Sequence, residues 1–428
     1  MDGNRRAWLV WGLAAGFYLV ALFHRMSLGV ASLDAQRRFD LSPGTIATLS
    51  ALQLGLYLVM TIPAGLAADR IGPRRALAIG LVAMAIGETT FGLATSAPFA
   101  LGGRALVGAG DAFMFLSVLR VAQNWFPAHR YALLASLTGL AGALGQIGTT
   151  VPLGLSLDGA GWTATFVTSG LVTGALAILC LRAVRDRPAG AHAPGAGGAP
   201  GHDPILRTLR AAWARPATRH AFWAHFGLMG PFVAITALWG YPYLVRAQDV
   251  APGVARTWLM ICVIAFAVSA PLFGAIVARA PGTRTGLLLG TTLAVACAWA
   301  ATLLWPGGHP PAVVLLVTLV VTGTGGACAM LAFDVARAGN PAQSAGGATG
   351  LANTGGFSAA VGVQLAAAGM LHLGAASIQV ALLPMLGLLA LACVQGVRFA
   401  LAGRGAAGGP AQPAANRLVT ATPGSSAA

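Results

Sequence analysis

The sequence predicts an all-α integral membrane protein of twelve transmembrane helices, arranged as two pseudo-symmetric six-helix bundles. Three observations predict it. Only 9% of the 428 residues are charged, against roughly 25% in a soluble domain, too few to cover a water-soluble chain of this length. Apolar stretches recur from end to end, each long enough to cross roughly 30 Å of hydrocarbon. The basic residues, all arginine, gather in alternate connectors between those stretches.

The spans are placed near 7–31, 44–67, 76–95, 97–123, 131–155 and 162–183 in the first half. In the second half they fall near 220–245, 254–278, 285–305, 312–333, 345–370 and 376–401. Arg5 and Arg6 before the first run resemble the opening of a signal peptide, but the run is too long for one and more spans follow, so an uncleaved first helix is expected. With the N-terminus on the cytoplasmic side, 19 arginines lie in inside segments and 4 in outside segments, the bias that orients proteins in an inner, cytoplasmic membrane. Both termini are then cytoplasmic. Residues 1–183 form the first bundle and 184–219 a flexible basic linker with a short amphipathic helix near 205–215. Residues 220–402 form the second bundle, and 403–428 a Gly/Ala/Pro-rich tail expected to be disordered.

The net charge of +15 does not indicate a nucleic-acid partner, because the arginines sit in membrane connectors. Cys180, Cys262, Cys297, Cys328 and Cys393 each stand alone in an apolar run, so buried inert thiols are expected, with no disulfide, metal site or cofactor. A monomer in the lipid bilayer is expected.

The halves look related. Gly65-Leu-Ala-Ala-Asp69-Arg70-Ile-Gly72-Pro-Arg74-Arg75 follows the second span, and Gly274-Ala-Ile-Val-Ala278-Arg279 follows the eighth, with the Gly and the Arg five residues later at the same place. Parallel repeats of this kind predict a transporter with its site between the halves. Gly65 permits close helix approach, Gly72 a tight turn, and Asp69 a helix cap or an arginine pair. G-x-x-x-D-R-x-G-x-R-R between two spans resembles the signature loop of the major facilitator superfamily. That resemblance implies the major facilitator fold, and it implies a conformational latch of Gly65, Asp69, Arg70, Gly72, Arg74 and Arg75, with Asp69 facing the start of helix 11 near Asn340–Ser344.

Charges inside spans are costly, roughly 2.5–3.5 kcal/mol on insertion scales, and mark partners or wet cavities. Arg104 and Asp111 lie seven residues apart on nearly one face of helix 4, and His24-Arg25 sit in helix 1 with Tyr18 seven residues before Arg25. An arginine fork in a cavity matches a carboxylate or phosphate. Arg104-x-x-x-Gly108-x-Gly110 resembles the superfamily's second motif. Together with Arg25 and Asp111 it resembles the anion/cation symporter branch, which carries organic anions, often with protons. The resemblance implies that Arg25 holds the substrate anion and Asp111 carries the proton, with Arg104 coupled to it. Many members have an acidic residue where this chain has His24; the competing reading has Arg25 snorkelling to headgroups and His24 in a structural hydrogen bond.

The second half is poorer in charge. Leu238-Trp239-Gly240-Tyr241-Pro242-Tyr243 in helix 7 reads either as an interfacial aromatic belt or, by resemblance, as a gate that gives Trp239 a substrate contact. Asp334–Arg337 reads as a surface pair, and Asn353 and Gln364 in helix 11 as cavity-lining candidates. Glu88, the only glutamate, is either a structural partner or a cavity residue. Arg120 reads as part of the cytoplasmic charge network.

Enzyme classes find little support. Gly108-Ala-Gly110-Asp111 spells the G-x-G-D of intramembrane aspartyl proteases, but no Y-D precedes it and no P-A-L follows. No nucleophile elbow, zinc motif or P-loop occurs. A sensor on the same scaffold lacks a sizeable soluble domain. Helix 5, rich in glycine from Gly139 to Gly154, lacks the G-P-x-x-G-G ending that resembles drug–proton antiporters. The expectation is proton-coupled carriage of a small organic anion by alternating access, with drug or metabolite efflux by proton antiport as the competing reading.

Overall fold

The computed structural model describes residues 3–40, 43–188, 205–342, 344–374 and 377–407. The described residues are largely helical. Eleven helices are long and apolar enough to cross a bilayer, and a twelfth span is a helix pair bent by 69° at a break.

In the first half, spans 1 to 4 are Gly3–Val30, Pro43–Arg70, Pro73–Leu93 and Ala97–Trp125. Spans 5 and 6 lie within one helical assignment, Tyr131–Ala183, interrupted at Gly161 where φ is +78°. The chain reverses near there. The hydroxyls of Ser156 and Thr165 lie 2.9 Å apart, whereas a straight helix separates residues nine apart by roughly 13 Å. Only glycine adopts that φ at little cost.

In the second half, span 7 runs Pro216–Ala237 and then, beyond the bend, Gly240–Ala247. Span 8 is Pro252–Arg279, span 9 Arg284–Leu303, span 10 Ala312–Ala338, span 11 Ala345–His372 and span 12 Ile378–Phe399. The amphipathic linker helix is Ile205–Ala214. The rest of the flexible linker, 189–204, and the tail from 408 lie outside the described residues. A short helix, Ser32–Phe39, follows span 1.

Large apolar side chains such as Leu155, Leu171, Val268, Leu272 and Val394 face outward, which in water would be a liability and in lipid is the matched surface. The thiols divide: Cys180, Cys262 and Cys328 are buried, Cys393 is half-buried, and Cys297 is exposed on span 9, a correction to the expectation that all five are buried.

The starts of spans 1 and 7 and the end of span 12 lie at one face, here the termini face. Trp8 at the start of span 1 packs on Phe126 after span 4, ring centroids 5.0 Å apart. Phe399 near the end of span 12 stacks on His220 at the start of span 7. The halves meet closely at this face through paired glycines. A Cβ on Gly65 of span 2 would meet Gly346 O of span 11 at 2.5 Å, and one on Gly274 of span 8 would meet Leu133 Cα of span 5 at 2.7 Å. The two glycines of the sequence repeat thus occupy equivalent contacts. Hydrogen bonds between the halves run from this face up to Tyr57–Asn353, and among the described residues none lies beyond it.

Candidate functional site

A central cavity lies between the halves, lined by residues of spans 1, 2, 4, 5, 7, 8, 10 and 11. It holds about 50 Å³ of water-accessible space, room for water but not for an organic solute without further opening. Tyr18, Leu22 and Arg25 line it from one stripe of span 1, as their spacing of four and three residues requires. The Arg25 Nε donates to Asp111 Oδ2 at 2.6 Å. Its guanidinium lies over the Tyr57 ring at 4.3 Å and near Phe357 at 5.5 Å. Asn353 Nδ2 donates to the Tyr57 hydroxyl at 3.0 Å, so spans 2 and 11 meet directly beside the arginine. Arg25 Nη2 and Asp111 Oδ1 have no partner among the described residues. A 12% exposed Arg25 side chain therefore offers a cation with an unused donor to the cavity, while the carboxylate keeps an unused acceptor. Gly142 leaves room for the Tyr18 ring, which a Cβ would meet at 2.8 Å.

His24, one residue away, points elsewhere, because successive helical residues diverge by roughly 100°. It is fully buried inside the first bundle, with Nδ1 3.1 Å from Glu88 Oε1 and Nε2 2.7 Å from Thr173 Oγ1. Arg104 completes this cluster. It donates to Glu88 Oε2 at 3.2 Å, to Ser27 Oγ at 3.0 Å, to the His24 carbonyl at 2.9 Å and to Gln53 Oε1 at 2.5 Å. His24, expected to contact substrate, does not line the cavity; of the two arginines that the sequence offers Asp111, Arg25 pairs with it and Arg104 pairs with Glu88. Thr173 Oγ1 also lies 2.9 Å from Ser169 O. When its single proton is there, His24 Nε2 must donate, and the Nδ1–Glu88 contact then needs a second proton. When the hydroxyl turns to Nε2, neutral His24 meets ionised Glu88.

At the termini face, Asp69 accepts from the backbone N–H groups of Gly346 and Gly347, both at 3.1 Å, where an anion suits the start of span 11. Arg120 lies 3.4 Å from Asp69 and donates to Ala342 O at 2.6 Å across the halves. Gly72 has φ +84°, and Asp186 after span 6 accepts from the Arg74 N–H at 2.8 Å. The Arg74 side chain reaches Leu181 O, and Arg70 and Arg75 are exposed. In the second half, Asp334 binds Arg284 at 2.7 Å and Arg337 at 3.2 Å. Asp334 is almost fully buried, not part of a surface pair as the sequence suggests. Arg337 lies 4.6 Å over the Tyr131 ring of the other half and donates to Ala128 O.

In span 7, Ile235–Trp239 and Tyr243–Ala247 are π-helical, a geometry found often at functional sites. Trp239 and Gln364 are not among the residues that line this cavity. The cavity instead takes Tyr57, Gln146, His225 and Phe357. Their apolar or weakly polar character inside spans gave little warning. Tyr57 and His225, polar groups in the middle of apolar runs, are the two that carry a signal.

A family profile described as Major Facilitator Superfamily matches residues 13–363. Among curated relatives, a D-galactonate transporter of Escherichia coli is 27% identical over 129 residues, covering 30% of this chain and 30% of that protein. A hexuronate transporter of Bacillus subtilis is 26% identical, covering 33% and 35%, and a putative tartrate transporter of Agrobacterium vitis is 25% identical, covering 40% and 41%. The matched segments span about a third to two-fifths of these relatives. Of solved structures, the transporter FucP in its outward conformation superposes with a TM-score of 0.69 at 17% identity, over 92% of this chain and 99% of that one. The proton:xylose symporter XylE superposes with 0.66 at 14%, over 93% and 96%. At these identities the superpositions speak to the fold.

Proposed function

This chain belongs to the major facilitator superfamily and is a membrane transporter, not an enzyme, and on that premise we propose that it carries a small organic anion together with a proton by alternating access. The observation that carries the reading is Arg25: a nearly buried guanidinium facing the cavity, tied to Asp111 through one nitrogen and unpartnered at another.

Charge balance gives the mechanism. With Asp111 ionised, the empty site is neutral. A monovalent anion arriving then would leave a net negative charge in a medium that penalises it by several kcal/mol. If Asp111 takes a proton, Arg25 is released and the anion replaces the carboxylate. The site is neutral again. Only the empty form and the form holding both anion and proton are balanced, so these two cross readily. Asp111 is the proton carrier in this scheme, and Tyr18, Tyr57 and Asn353 contact the substrate. Arg104 acts from a distance, holding the His24 segment of span 1 through its carbonyl.

The strong arginine bias supports a cytoplasmic termini face. Since that face is the closed one, the cavity is on its way to the outside. Opening inward breaks Asp69–Gly346/Gly347, Arg120–Ala342 and Arg337–Ala128 while the bundles rock.

Counterflow in proteoliposomes with D-galactonate, a hexuronate and tartrate tests the reading. Uptake by the wild type, with Arg25→Ala inactive, is expected. Wild-type rates in both Arg25→Ala and Asp111→Asn would refute it, and stabilisation of the protein by lipophilic cations alone would favour efflux.

A further inference from the structure

The second bundle presents one polar group to the cavity whose geometry is fixed. His225, on span 7, is buried, and its Nδ1 accepts the backbone N–H of Gly356 on span 11 at 3.1 Å. An acceptor nitrogen carries no hydrogen, so the hydrogen is on Nε2. Nε2 is buried and has no acceptor among the described residues, while its ring lines the cavity with Arg25 and Asn353. The ring cannot easily turn away. Its edge packs on Phe333, centroids 4.9 Å apart, and a Cβ on Gly356 would collide with Nδ1. Gly356 is therefore the residue that lets span 11 come close enough to set the tautomer.

We propose that His225 Nε2–H is the substrate's hydrogen-bond donor in the second half, so that the carried anion bears an oxygen acceptor (a hydroxyl, carbonyl or second acidic oxygen) away from the group held by Arg25. The inference rests on the anion reading above and deepens it. Arg25 and His225 stand on opposite halves. A bare alkyl anion satisfies only the first. It leaves a buried N–H unpaired, which is a penalty comparable to a lost hydrogen bond. A hydroxylated or dibasic anion satisfies both and bridges the bundles. His225 is a fixed donor rather than a proton carrier. A second proton on Nδ1 would face the Gly356 N–H. The groups around the ring, Phe333, Met229 and the Gly356 backbone, offer no negative charge to an imidazolium.

The test is binding of matched anions to the purified full-length protein, D-galactonate against hexanoate and 4-hydroxybutyrate against butyrate. Wild type should prefer the hydroxylated member of a pair. In His225→Phe that preference should shrink roughly tenfold, as for one hydrogen bond, with binding of the unhydroxylated anion kept. His225→Gln, which retains a terminal N–H, should recover part of it. An unchanged preference in His225→Phe overturns the inference and leaves the anion reading standing. Failure of the wild type to bind any of the four overturns both. Should the Phe variant not fold, nitrogen-15 spectra of labelled histidine in the wild type decide. A hydrogen on Nε2, with a shift on adding D-galactonate and none on adding hexanoate, supports the proposal. A hydrogen on Nδ1, or no shift, sinks it.

Discussion

Two arginine–carboxylate pairs lie within a few residues of each other in the first bundle, and they are built differently. Arg104 and Glu88 are fully buried, and Arg104 donates to four acceptors from spans 1, 2 and 3, with its Nε alone left unpartnered. Arg25 and Asp111 share one short hydrogen bond, Arg25 borders a cavity, and each keeps an unused polar atom. A sealed, nearly saturated pair can only be broken at the full cost of leaving a buried charge alone. A pair with spare valences beside a cavity can exchange one partner for a ligand. The difference separates a structural post from a working site, although the sequence shows the same residue types in both.

The largest expected effect breaks the post. Arg104→Ala leaves Glu88 without its cation and should cost roughly 3–5 kcal/mol, seen as a large loss of folded protein and melting temperature in detergent. Arg104→Leu with Glu88→Leu together should recover much of it, since apolar replacement of a whole buried pair is often neutral. If Arg104→Ala melts like the wild type, the contrast between the two pairs collapses.

Next in size is Arg25→Ala. Removing the charge-assisted contact should weaken anion binding about 100-fold, roughly 2.7 kcal/mol, with the melting temperature nearly unchanged because Asp111 can take up a proton. Binding by calorimetry and melting by fluorescence separate the two effects. Asp111→Asn should do something different in kind. Arg25 then has no competing carboxylate, so anions bind across the pH range and exchange across the membrane. Uphill accumulation driven by a proton gradient is lost. Accumulation surviving in Asp111→Asn would move the proton elsewhere, and the His24–Glu88 contact is where it would be sought.

How far the sequence reaches follows from the same pair of sites. Spans and latch are legible because their signals are local: a run of apolar residues, a loop with Gly, Asp and Arg at fixed spacing. The intramembrane charges are legible as anomalies. What a sequence cannot rank is two neighbours on a helix. His24 and Arg25 look equally suited to a cavity, and 100° of rotation sends one to Thr173 and the other to Asp111. The same limit applies to Asp334, whose second partner Arg284 is 50 residues away. Phe357 and Gln146 come to the cavity from two different spans, and nothing within either span announces it. Asp186, which holds the loop at Gly72 and Arg74, sits in a basic stretch that reads as topology alone.

The smallest effect concerns the latch, and it ties the termini face to the cavity. Asp69 bridges two N–H groups at the start of span 11, and six to eleven residues further along the same span stand Asn353 and Phe357, against Tyr57 and Arg25. A rigid span makes the latch and the site two ends of one lever. Asp69→Asn keeps one acceptor oxygen but loses the charge facing the helix start and Arg120. About 1 kcal/mol is expected, enough to change the ratio of the two access states roughly fivefold while leaving the fold intact. Spin labels placed on spans 2 and 11 at the termini face should report a larger fraction of long distances in the variant. Because the lever is shared, a bound anion at Arg25 should shift that fraction in both proteins by the same factor. A shift in the wild type alone would mean that latch and site are coupled through Asp69 itself rather than through the span.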